Sequence, residues 1–183
     1  DVDFGRLLHQ TAQIEGIERI RFTSPHPSDM DDSAIDAMAK CSKVAPYLHL
    51  PLQAASNRVL ARMERGYTVE AYAALVDRLR EAMPNLALST DIIVGFPGED
   101  EADFCATYDF MARTRYDFAF MFKYSAREGT KAYKWGETLS EEEKGRRLQE
   151  IIHLQEQIGG ELNQQRVGQS VEVLIEGPAK KQK

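Results

Sequence analysis

The sequence predicts an α/β fold with mainly parallel strands, curved into a wide or incomplete barrel. Short apolar runs of strand length alternate with amphipathic helical stretches across short joints, which is the pattern of βαβ units. In addition, each strand-like run splits by parity into an apolar and a polar set, because side chains alternate across a strand. A flat sheet between two helical layers would need both sets apolar, and a small closed barrel would fill its lumen with branched apolar side chains. Polar sets on consecutive strands instead predict a cavity that holds a ligand.

The elements follow in order along the chain. Phe4, Leu7, Leu8 and Ala12 are spaced for a first helix that Gly16 ends, and `IERIRFTS` reads as a strand. The cluster Asp31, Asp32 and Ser33 starts a helix through Ala34 to Ala39, and `YLHLPLQ` is the next strand. A short helix over Asn57 to Met63 stops at Gly66. Thr68 then caps a longer helix with Val69, Tyr72, Val76, Leu79 and Met83 on one face, ended by Pro84. Strand `LALSTDIIV`, a helix from Asp100 to Arg113 and strand `FAFMFKYS` repeat the unit. Ser140 and Glu143 have capping-box spacing ahead of a long helix whose stripe is Leu148, Ile151, Ile152, Gln155, Ile158 and Leu162. Beyond Gly168, `QSVEVLIEG` alternates like the first strand of a small β domain. The expected divisions are 1–138 for the partial barrel, 139–166 for the long helix and linker, and 167–183 for the start of the β domain.

By parity, Leu48, Leu50 and Leu52 oppose Tyr47, His49, Pro51 and Gln53, while Leu86, Leu88, Ile92 and Val94 oppose Ala87, Ser89, Asp91 and Ile93. Ile20 and Phe22 oppose Arg19, Arg21 and Thr23. Gln53 and Asp91 fall near the C-terminal ends of their strands, where α/β proteins bind ligands. Asp91 therefore lines a site, or else it is a structural partner for Arg19 or Arg21. His49 reads as a packed, hydrogen-bonded interior histidine. The turn `VGFPGE` is either a connector or a place where backbone approaches a ligand.

Composition bounds the function. The chain has 183 residues, 43% hydrophobic and 28% charged, and no apolar run near the ~18 residues of a membrane span. There is no signal-peptide pattern at the start, and the lack of a starting methionine, with a helix-like pattern beginning almost at once, reads as an excision from something longer. The two cysteines, Cys41 and Cys105, have no metal-ligand spacing and read as buried or half-buried free thiols in a reducing cytoplasm, so metal ligands within the chain are expected to be none. A net charge of −6 means that any RNA binding needs a local basic patch, for which the tail lysines Lys180, Lys181 and Lys183 are candidates beside a merely solvated tail.

Four separated segments, `TSPHP`, `LHLPLQAASNRVLARMERGYT`, `STDIIVGFPGEDEADF` and `FMFKYSAREGTKA`, resemble the radical S-adenosylmethionine methylthiotransferases in the family's order. `LHLP`, Asn57, `RGYT` and `FKYS` look most like the branch that acts on isopentenylated adenosine beside the tRNA anticodon. The resemblance implies the second half of a (β/α)6 TIM-like radical SAM barrel. It implies S-adenosylmethionine and two [4Fe-4S] clusters as cofactors of the parent protein, tRNA and an electron donor as partners, no membrane, and a cytoplasmic setting. In such enzymes a 5′-deoxyadenosyl radical removes hydrogen from adenine C2, after which a methylthio group is attached; the cofactor carries this chemistry and the protein positions it. The C-x-x-x-C-x-x-C loop is absent from this chain, which by itself is expected to be inactive.

By the same resemblance, Gln53 and Asp91 hold methionyl and ribose groups, Arg65 forks the methionyl carboxylate, and Ile93 contacts adenine. No catalytic residue is assigned. Arg65 also ends a helix, where a guanidinium can instead complement carbonyl dipoles, and Arg62 is read in that way. The alternatives are the ribosomal-protein or threonylcarbamoyl-adenosine branch, a non-catalytic RNA-binding scaffold, or a conventional phosphate-binding barrel, which lacks a loop of adjacent backbone donors here.

Overall fold

Three parallel strands carry the core, in the order β1 (Tyr47–His49), β2 (Ala87–Val94) and β3 (Phe118–Lys123). A computed structural model describes residues 3–23, 25–175 and 177. Around the strands run α1 (Phe4–Ala12), α2 (Asp32–Lys40), α3 (Asn57–Arg62), α4 (Val69–Ala82), α5 (Glu101–Thr114), α6 (Lys131–Trp135) and α7 (Glu141–Gln165). Register aligns Ser89 with His49 on one side and Phe118 on the other, and Asp91 with Phe120.

Local chemistry explains most boundaries. Side-chain oxygens of Asp31, Ser56, Thr68 and Ser140 each accept the N–H three residues on, satisfying a donor that the helix leaves orphaned. Asp100 and Asp103 form a reciprocal box at the start of α5. The box expected at Ser140 is only half formed, because the Glu143 carboxylate turns to Arg146 and Arg147 instead. Asn57 serves two elements: its Oδ1 accepts from Val69 N at 2.7 Å, tying α3 to the start of α4.

One sheet face meets the helices. Leu48, Leu88, Ile92 and Val94 pack with Tyr72, Val76 and Leu79 of α4, Phe110 and Met111 of α5, and Ile151, Leu154 and Ile158 of α7. At about 25 cal/mol per Å² of apolar surface removed from water, each such side chain stabilises by about 1.5–3 kcal/mol. Buried hydroxyls are satisfied too: Tyr72 donates to Leu50 O at 2.7 Å and Tyr116 to Tyr72 Oη at 3.1 Å.

Four expectations are corrected. `IERIRFTS` makes only a bridge between Ile20 and Val44, because the Tyr47 N–H that would continue the ladder folds back on Ala45 O (2.8 Å) around Pro46, which has no N–H. `QSVEVLIEG` forms no strand among its described residues, of which 171–175 are exposed. Leu7 is 50% exposed although its spacing placed it on the apolar face, and Cys105 is exposed on α5 rather than buried. Cys41 is half-buried with Sγ 3.1 Å from His9 Nδ1. The tail lysines Lys180, Lys181 and Lys183 lie outside the described residues.

Candidate functional site

The other face of the sheet is more open. Tyr47, His49, Ser89, Asp91 and Ile93 share it with Phe118, Phe120 and Phe122, which are each about half exposed. A chain of polar contacts runs along it. Tyr47 Oη and His49 Nδ1 both reach Ser89 Oγ, at 2.8 and 2.9 Å, and His49 Nε2 lies 3.3 Å from Asp91 Oδ1. Phe120 meets the His49 ring edge to face at 5.7 Å. His49 is the hydrogen-bonded interior histidine that parity suggested. Neither arginine offered as a structural partner reaches Asp91: Arg19 pairs with Glu172 and Arg21 stacks over Tyr47.

At the C-terminal end of the strands this face opens into a cavity of about 890 Å³. Gln53, Arg65, Asp91 and Ile93 all line it. Gln53 is held between the other two strand residues, its N–H donating to Asp91 O (2.8 Å) and its O accepting from Ile93 N (2.9 Å). Its φ of +73° is a left-handed conformation that costs a non-glycine residue of order 1 kcal/mol, and such strain tends to gather at ligand sites. Arg65 has no carboxylate within 4.0 Å among the described residues.

Arg62 is placed differently from the helix-end reading. It packs over the Trp135 ring at 4.4 Å, with its Nε buried and without a hydrogen bond, and lines the same cavity. The Tyr124 hydroxyl on the facing wall is also buried without a partner. These residues and Phe96, Lys123, Arg127 and Lys131 of the lining escaped assignment from sequence. Parity in `FKYS` puts Phe122 and Tyr124 on the inward side and was a usable signal. Nothing local foretold that α6 would bring Trp135 onto Arg62.

The `VGFPGE` turn joins β2 to α5 and puts Phe96 on the cavity wall. Gly95 (φ +76°) lies so close to the Lys144 stem that a Cβ would sit 2.4 Å from Cγ, and Gly98 (φ +86°) faces the Arg62 guanidinium. Gly95 N–H donates to both Glu99 carboxylate oxygens at 3.1 Å, and Glu99 pairs with Arg147 at 2.7 Å, both side chains buried. Burial pushes the Glu99 carboxyl above its ordinary range, against the pull of Arg147. The turn, and with it the end of β2, is thereby pinned to α7.

The cavity suits a ligand with a carboxylate, hydroxyls and a flat apolar part. Arg65 offers an unpaired guanidinium, Gln53 and Asp91 offer polar groups, and Ile93 and Phe96 offer apolar wall. Among the described residues no three His, Cys, Asp or Glu gather to hold a metal ion, and the two cysteines stand apart, so these residues do not fit an iron–sulfur cluster.

A family model described as the Radical SAM superfamily matches residues 1–111. The chain belongs to that superfamily. As a radical SAM protein it is 47% identical over 98% of its length to the tRNA-2-methylthio-N(6)-dimethylallyladenosine synthase of Syntrophomonas wolfei. It is 48% identical over 97% and 94% of its length to the proteins of that name from Acetivibrio thermocellus and Mycobacterium avium. The chain spans 40%, 37% and 24% of these three relatives. Its fold matches coproporphyrinogen III oxidase from Escherichia coli, a radical SAM enzyme, with a TM-score of 0.61 and 21% identity over 74% of this chain and 32% of that one. The archaeal Elp3 of Methanocaldococcus infernus follows with a TM-score of 0.54 and 19% identity over 72% of this chain and 31% of that one. The α/β radical SAM barrel expected from the sequence is thus the fold, represented here by its three-stranded part. No helix among the described residues is long and apolar enough to cross a membrane.

Proposed function

We propose that this chain is the S-adenosylmethionine-binding part of a methylthiotransferase that modifies C2 of isopentenylated adenosine in tRNA. The observation that carries the reading is the single cavity lined by Gln53, Arg65, Asp91 and Ile93 in a radical SAM chain with close relatives of that name. Arg65 holds the methionyl carboxylate, Asp91 and Gln53 take the ammonium and ribose groups, and Ile93 lies against adenine. The bound cofactor, with [4Fe-4S] clusters held by residues other than these, supplies the radical chemistry and the methyl group. Within this chain the work is binding and orientation: His49 and Ser89 hold the Asp91 carboxylate in place, and Glu99 and Arg147 fix the strand end that presents Ile93. The partners are tRNA and an electron donor, the setting is cytoplasmic, and residues 1–138, 139–166 and 167–183 serve as barrel, helical linker and the start of an RNA-binding β domain.

Mass spectrometry of tRNA digests tests the substrate. The full-length protein should add a methylthio group to isopentenylated tRNA and leave tRNA from cells unable to isopentenylate adenosine largely unchanged. Methylthiolation of a ribosomal protein instead would move the activity to the sister branch.

A further inference from the structure

The cavity collects five cations, Arg62, Arg65, Lys123, Arg127 and Lys131, against two carboxylates, Glu64 and Asp91, in a chain whose net charge is −6. Arg62 is occupied by Trp135, and Arg65 stands on the wall with Gln53 and Asp91. The remaining three come from the end of β3 and the segment that follows it. Arg127 is exposed and has no carboxylate within 4.0 Å among the described residues. Its carbonyl accepts from both Thr130 N (3.3 Å) and Thr130 Oγ1 (2.8 Å), closing the turn that holds this exposed residue in the cavity lining. Lys131 is engaged by an exposed carboxylate, Glu64, in a pair that solvent and salt weaken, whereas Lys123, in register with Val94, turns its ammonium to Glu141 at the start of α7. Beside them Phe122, 51% exposed, offers an aromatic face.

Cations with an exposed aromatic at the lip of an open cavity are the arrangement for a nucleotide taken out of its stack. The base enters, while its flanking phosphates stay outside and need cations at the rim. We infer that Arg127 and Lys131 form a phosphate-binding rim for the RNA backbone on either side of the nucleotide entering the cavity. This rests on the proposed tRNA substrate, and it locates the basic patch that the chain's negative charge demanded, away from the tail lysines.

The test uses the full-length protein, a fluorescent anticodon stem-loop RNA and a series of salt concentrations. Arg127→Gln should weaken RNA binding roughly tenfold and flatten the slope of log K against log salt by about 0.7 to 0.9, as losing one phosphate contact does. Melting temperature and S-adenosylmethionine affinity should stay at wild-type values. Lys131→Gln, measured alongside, should flatten the slope in the same way. RNA affinity and slope unchanged in both variants, or a wild-type affinity that ignores salt, would overturn the inference. Arg65→Gln separates this from the function proposed above. If it leaves cofactor affinity intact while Arg127→Gln flattens the RNA slope, the rim stands and the cofactor reading falls; the reverse pair of results sinks the rim alone.

Discussion

The two faces of β2 are built from the same eight residues, yet they meet opposite demands. Leu88, Ile92 and Val94 are sealed under α4, α5 and α7 at 1% exposure or less, where every side chain must be apolar or fully paired. Ser89, Asp91 and Ile93 face the more open side, where hydroxyl, imidazole and carboxylate form a connected series ending at a cavity. Stability and chemistry are separated here by one residue of register. A one-residue slip would exchange them. Substitutions on the covered face should therefore cost folding, and substitutions on the open face should cost binding.

The largest effect should come from the covered face. Leu88→Ala removes a fully buried side chain from the middle of the sheet and should cost about 2–5 kcal/mol of stability. A chemical-denaturation curve reads this directly, and cofactor affinity of the folded fraction should be unchanged; a loss of affinity at constant stability would erase the distinction between the faces. Next is Gly95, which joins them. Gly95→Ala places a Cβ against the Lys144 stem in a left-handed backbone and should destabilise by about 1–3 kcal/mol. A thermal melt at or above the wild-type value would show that the turn is not pinned to α7.

The smallest effect concerns acid. Hydrogen bonds from Lys123 and Lys144 hold the exposed Glu141 carboxyl down from 4.5 to about 2, and those from Arg146 and Arg147 do the same for Glu143. Because the folded-state values are depressed, the stability they contribute is present above about pH 4.5 and is lost as pH falls toward about 2. Glu99, raised by burial, works in the opposite sense and gains as pH falls. Melting temperatures measured down this range should fall less steeply for Glu143→Gln than for wild type. An identical pH dependence would remove these carboxylates from the account.

Parity and capping made much of this legible. `LALSTDIIV` sorted Leu88, Ile92 and Val94 from Ser89, Asp91 and Ile93 before any contact was known, since alternation is a local property of the chain. Thr68 and Asp100 likewise announce helices through bonds three residues long. What stayed hidden depends on distant partners. Glu143 looked committed to its own helix start, but Arg147 is one turn away and draws its carboxylate. Arg62 looked like a helix-end charge until Trp135 arrived from 73 positions later, and the left-handed backbone of Gln53 follows from hydrogen bonds to β2 that no pattern in `LPLQ` encodes. `IERIRFTS` alternated convincingly, but Pro46 on the neighbouring segment decided its pairing.

Asp91 is either a cofactor ligand or a strut, and one substitution separates the two. Asp91→Asn keeps the shape and removes the charge, and losing a charged hydrogen bond costs about 1.5–3 kcal/mol, or roughly tenfold to a hundredfold in affinity. Melting temperature and S-adenosylmethionine affinity should be measured on the same full-length variant. That weakening of cofactor binding should come with little change in melting, because among the described residues no Lys or Arg lies within 4.0 Å of the carboxylate, whose partner is the His49 ring. Unchanged affinity with a fall of several kcal/mol in stability would make Asp91 a strut and contradict its role as a ligand.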